Sequence, residues 1–142
     1  MSSIDRSELK DRTFLGVALQ LAKLGTCQRK KVGAVITRDG RCVSWGFNGA
    51  PPGMPHCEGI HSADDCRATH AEANALAAAA RQGISTDYCT LYVTVSPCAV
   101  CARLLIAAGI VRVIWLEEYR DAEGMLLLDR AGIDSRVMLP VY

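Results

Sequence analysis

From residue 89 onward the chain alternates strand-forming and helix-forming runs with little between them. "CTLYVTV" (Cys89–Val95) carries the β-branched and aromatic side chains that strands favour. Pro97 stops it, and Cys98–Ala108 reads as a helix closed by Gly109. "VRVIWL" (Val111–Leu116) reads as a buried strand, "AEGMLLLDRAG" as a further helix and "SRVMLP" (Ser135–Pro140) as a last strand. Strands joined through single helices return to one sheet in parallel, by right-handed crossovers. Few architectures accept such a half.

The first half completes the layers. Ser7 can cap a helix running to about Leu24, with Leu9, Leu15, Leu19 and Ala22 as a rough apolar stripe and Gly25 as its stop. "VGAVITRDGRCVSWGFN" reads as a hairpin turned at Asp39-Gly40. Thr69 opens a second helix that Gly83 closes. The order α-β-β-α-β-α-β-α-β predicts an α/β fold: a three-layer α/β/α sandwich around a mixed five-stranded sheet, one domain over residues 1–142. Between hairpin and second helix, "GAPPGMPHCEGIHSADDC" (Gly49–Cys66) has no periodicity, and a loop of that length is functional or held by something.

Charge and cysteine content narrow the function. The formal net charge is +1, which offers no general footprint for nucleic acid, and the basic run "CQRKK" (Cys27–Lys31) reads as solvated surface. No apolar run is long enough to span a membrane, and "MSSIDRSELKDRTF" does not read as a signal peptide, so a cytoplasmic address is expected. Seven cysteines in a reducing compartment point to metal rather than to disulfides.

Two motifs supply the ligands. "THAEANALAAAARQG" (Thr69–Gly83) puts His70 and Glu72 at a helix mouth, and "SPCAVC" (Ser96–Cys101) puts Cys98 and Cys101 at another. Cysteines three apart share a helix face, and helix N-termini favour the thiolate form that binds metal. Two thiolates and an imidazole make three zinc ligands and leave a fourth position for water, as catalytic zinc requires. Zinc lowers the pKa of such a water toward ~7. Glu72 is then the proton shuttle. Residues two apart diverge by about 200° on a regular helix, so His70 and Glu72 can share the metal only at the first turn. H-x-E alone is weak, and P-C-x-x-C alone could be a redox dithiol or half of a structural site. In this order and about 28 residues apart, they form the zinc-deaminase signature.

The chain resembles the deoxycytidylate (dCMP) deaminase family over nearly its whole length. The resemblance rests on "KVGAVI" (Lys31–Ile36), "GFNGAPPG" (Gly46–Gly53), "CRATHAEANAL" (Cys66–Leu76), "TVSPCAVCA" (Thr94–Ala102) and "EEY" (Glu117–Tyr119). It implies a cytidine-deaminase-like fold and hydrolysis of dCMP to dUMP and ammonia, feeding thymidylate synthesis. His70, Cys98 and Cys101 would hold the catalytic zinc, with Glu72 as acid and base. Asn48 would read the sugar hydroxyl, the backbone around Ala71 and Ser96 would meet the base edge, and Tyr119 would line the pocket. Arg81 resembles an arginine that lies near the phosphate in similar enzymes, though an arginine in a last helical turn also serves the helix dipole.

Cys27, Cys57, His61 and Cys66 remain, and four such ligands make a closed structural zinc site that would pin the Gly49–Cys66 loop. Family members with a second zinc carry cysteines similar to Cys27 and Cys57, and His56 competes with His61. Cys42 and Cys89 read as core. The resemblance further implies a homo-oligomer, hexamer or dimer, with dCTP and dTTP as allosteric effectors. Alternatives within the chemistry are deaminases of CMP, of free (deoxy)cytidine or of a 5-modified dCMP. A tRNA adenosine deaminase would be expected to show a basic surface. From a different class, a non-catalytic zinc-binding relative would have no use for Glu72.

Overall fold

The computed structural model describes residues 5–27, 30–57 and 66–138. Among these described residues four helices, α1 (Arg6–Ala22), α2 (Ala71–Arg81), α3 (Ala99–Ala107) and α4 (Glu123–Arg130), accompany five strands. The strands are β1 (Gly33–Arg38), β2 (Arg41–Phe47), β3 (Thr90–Val95), β4 (Arg112–Glu117) and β5 (Asp134–Val137). Their order along the chain is the α-β-β-α-β-α-β-α-β expected.

The sheet runs β2-β1-β3-β4-β5. β1 pairs antiparallel with both β2 and β3, while β3–β4 and β4–β5 are parallel, so the sheet is mixed. The β1–β2 hairpin turns at Asp39-Gly40, both at positive φ (52° and 74°), the combination its right-handed twist selects.

Alternation along the strands sorts the core onto two faces. Ala34, Ile36, Leu91, Val93, Val113 and Trp115 pack with Ala71 and Ala75 of α2, Ala102 and Leu105 of α3, and Leu128 of α4. Val35, Tyr92 and Ile114 point the other way, onto Leu15 and Ala18 of α1. That is the three-layer sandwich. Among the described residues no helix is long and apolar enough to cross a membrane.

Some boundaries differ from expectation. Asp5, not Ser7, caps α1, its carboxylate accepting the Ser7 N–H at 3.4 Å. A charged acceptor two residues earlier suits a helix N-terminus better than a hydroxyl. The buried stripe of α1 is Asp11, Leu15, Ala18 and Ala22, while Leu9 and Leu19 are exposed. Thr69 does not cap α2; it pairs with Gly49 in an isolated bridge that ties the Gly49–Cys66 loop to the helix mouth. Cys89 is core, but Cys42 is exposed because β2 is an edge strand.

Candidate metal centre and active site

α2 and α3 both begin beside the C-terminal end of β3, and their first residues meet there. His70 is the N-cap of α2, in extended conformation (φ −63°, ψ 151°), and Cys98 is the N-cap of α3 (φ −71°, ψ 172°). The extended cap removes the angular conflict between His70 and Glu72, because only Glu72 stands on the helix. His70 Nδ1 lies 3.6 Å from Cys98 Sγ and 3.3 Å from Cys101 Sγ. The three ligand atoms all lie within 4.8 Å of one another, a compact group of three among the described residues.

The donor set fits zinc. Bonds of ~2.3 Å to sulfur and about 2.0–2.1 Å to nitrogen set tetrahedral N and S ligands roughly 3.6 Å apart. The thiols are also prepared electrostatically. Hydrogen bonds from Cys101 and His70 bring Cys98 down to about 3, so it stands as a thiolate. Cys98 in turn, followed by burial, pushes Cys101 well above the usual thiol range. One thiolate is ready and the second proton leaves when metal binds. His70 is raised, first by Cys98, against burial.

Glu72 is 4% exposed, in hydrogen-bond contact with the Cys101 thiol. Burial is the main cause that raises its carboxyl to about 7. A carboxyl poised there can both take and give a proton at neutral pH.

These groups open into a cavity of about 220 Å³. Of the residues proposed from sequence, Asn48, Ala71, Ser96 and Tyr119 line it with His70, Glu72 and Cys98. Ser96 is buried; its N–H donates to the Glu117 carbonyl at 2.8 Å and its Oγ accepts the Tyr119 N–H at 2.6 Å, which sets Tyr119 at the rim. The Asn48 side chain bonds the backbone on both sides: Oδ1 accepts the Val32 N–H at 2.8 Å and Nδ2 donates to the Lys30 carbonyl. Arg81 stands apart, exposed in the last turn of α2 and away from the cavity lining.

Cys27 and Cys66 line the same cavity, their sulfurs 3.7 Å apart. Cys66 also contacts the Cys57 thiol, and burial leads in pushing Cys66 up. Cys57 Sγ accepts the Arg67 N–H at 3.1 Å. Cys27 and Cys57 thus both touch Cys66; His61 lies outside the described residues, and His56 lines a different cavity beside β2. Lys30, in the basic run read as solvated surface, is exposed and also lines this cavity.

A family model of the cytidine and deoxycytidylate deaminase zinc-binding region matches residues 8–117. The deoxycytidylate deaminase of Mycobacterium phage D29 is 40% identical over 123 residues, covering 76% of this chain and 94% of that protein. ComE operon protein 2 of Bacillus subtilis is 38% identical over 125 residues, covering 84% of this chain and 66% of its own length. Among solved structures, the dCMP deaminase of cyanophage S-TIM5 in complex with dCMP and dUMP superposes with a TM-score of 0.84 at 30% identity, over 96% of this chain and all of that one.

Proposed function

The chain belongs to the cytidine and deoxycytidylate deaminase family, and from that premise we propose that it hydrolyses dCMP to dUMP and ammonia with zinc as cofactor, supplying dUMP for thymidylate synthesis. One observation carries the reading: the His70, Cys98 and Cys101 ligand atoms converge beside a buried carboxyl at the floor of a cavity. A purely structural zinc site would have no need of Glu72.

Bound by these three residues, zinc supplies the Lewis acidity that makes a water nucleophilic at neutral pH. Glu72 does the proton work. Its carboxylate takes a proton from the attacking water and returns it to N3 of the cytosine ring. It then carries the second proton to the 4-amino group, which leaves as ammonia while C4 keeps the oxygen. Burial strengthens each of these hydrogen bonds by keeping bulk water away. The backbone at Ala71 and Ser96 meets the base edge, Tyr119 walls the pocket, and Asn48 stands toward the sugar. Arg81 would reach a phosphate only from a neighbouring subunit.

Cys27, Cys57 and Cys66, with His61 or His56, form a second, structural zinc site in this reading. The gathered thiols support it, because closed sites use such sulfur-rich sets. The family also carries assembly as a homo-oligomer, hexamer or dimer, and response to dCTP and dTTP. Deamination rates on dCMP, deoxycytidine and CMP, read by loss of cytosine absorbance, test the substrate. Strong preference for dCMP is expected. Equal rates on all three would overturn the mononucleotide reading and leave the zinc chemistry standing.

A further inference from the structure

Among the described residues lining the active cavity, Lys30 is the one lysine or arginine. Its Nζ sits 2.9 Å from Glu117 Oε1 and 3.0 Å from Oε2, a pair formed across 87 residues of sequence. Both side chains are more than half exposed, at 54% and 60%. Their backbones, by contrast, are fixed. The Asn48 side chain grips the Lys30 carbonyl and the Val32 N–H, and the Asn48 N–H donates to the Val32 carbonyl at 3.2 Å. Glu117 closes β4, its carbonyl holding the Ser96 N–H at 2.8 Å. Two hydrogen-bonded backbone segments therefore hold two exposed, oppositely charged tips at the cavity rim.

An exposed ion pair contributes little stability, so exchanging one anion for another there is cheap. A nucleoside monophosphate carries about −1.5 to −2 charges on its phosphate near neutral pH. Its base must reach Glu72 at the cavity floor, which leaves the phosphate for the rim. The ammonium has three N–H donors, two of them spent on Glu117. We propose that Lys30 selects for the 5′-phosphate of the substrate and that Glu117 holds the ammonium as a stand-in anion until the nucleotide replaces it. The inference rests on the mononucleotide reading above.

The two halves of the pair then act with opposite signs. Lys30→Met removes the attraction, and its KM for dCMP rises about tenfold, the worth of a charge-assisted hydrogen bond. The ratio of kcat/KM for dCMP over deoxycytidine falls with it. Glu117→Gln removes the competing anion, and its KM for dCMP drops roughly two- to threefold. Lys30→Arg keeps most of the preference. Added salt raises KM for dCMP in the unchanged enzyme and far less in Lys30→Met. A bridge that only braces the rim would weaken both variants in the same direction and on both substrates, and that outcome overturns the assignment. So does a Lys30→Met enzyme that keeps its preference for dCMP while the unchanged enzyme shows one. If the unchanged enzyme shows no preference for dCMP, it is the mononucleotide reading that fails.

Discussion

Glu72 is the one acidic side chain of the site that neither pairs with a cation nor reaches solvent freely, and its burial is what raises it to about 7. Replacing it with Gln keeps the shape and removes the proton relay. Glu72→Gln is expected to lose turnover by about 10³-fold, within the range of general acid–base catalysis, while retaining zinc by elemental analysis. Full zinc with surviving activity would refute the assignment of the proton shuttle. Cys98→Ser tests the other side of the centre, because it removes the thiolate held at about 3. The catalytic zinc is then lost, as metal analysis after desalting would read. The ligands themselves were legible from residue type and spacing. Their geometry was only half legible, since spacing could say that His70 and Glu72 needed a non-helical turn but not that His70 itself would be the cap.

At the level of elements, α4 is what presses the start of α3 into place. Gly124 opens that contact: a Cβ there would stand 2.0 Å from the Pro97 carbonyl oxygen and 2.8 Å from the Cys98 carbonyl carbon. Both neighbours are backbone and cannot rotate away. Gly124→Ala is expected to cost about 1–3 kcal/mol by overpacking and to weaken zinc retention, because Cys98 moves with the displaced turn. Denaturant titration and competition with a chelator measure the two effects, and unchanged zinc affinity in a destabilised variant would separate α4 from the metal centre. The proposed second zinc site is testable at the same scale. Cys66→Ser should lower the zinc content from two per chain to one and leave the catalytic ion in place. Element order and strand direction could be read from the sequence because hydrophobic period and glycine punctuation are local. Cap choice was not readable at Asp5 and Thr69, where the deciding partner competes with nearby alternatives or lies across a bridge to Gly49. Nor could sequence show Lys30 meeting Glu117, since that pairing exists only after β1 and β4 share a sheet.

Across the whole molecule, the chemistry and a buried ionic lock sit at opposite ends of the sheet. The metal ligands follow the C-terminal end of β3. Near its N-terminal half, the Asp11 carboxylate of α1 accepts from Tyr92 Oη at 2.6 Å and from both Nη atoms of Arg112 at 2.8 and 2.6 Å. Tyr92 faces α1, whereas α2 and α3, whose first residues carry the metal ligands, pack on the opposite face of the sheet. Burial alone would raise Asp11, but the hydrogen bonds from Arg112 and Tyr92 outweigh it and its carboxyl stands below the usual range. A carboxyl depressed in the folded chain binds its proton more readily when unfolded. Its contribution is therefore fully present above about pH 4, the ordinary carboxylate value, and is lost as pH falls through the lower folded value. Asp11→Asn leaves Arg112 facing an amide, with the exposed Asp134 at 3.4 Å as its remaining carboxylate among the described residues. Stability at neutral pH is expected to fall by about 2–4 kcal/mol, the cost of breaking a buried pair from one side. The acid limb of stability against pH should also flatten, since one depressed carboxyl no longer titrates there. Zinc content and kcat, set at the far end of the sheet, should hold at temperatures where the variant is folded. Urea melts between pH 3 and 7 beside turnover of the same samples decide it: a loss of kcat in step with stability would mean that the lock at one end of β3 also tunes the metal centre at the other.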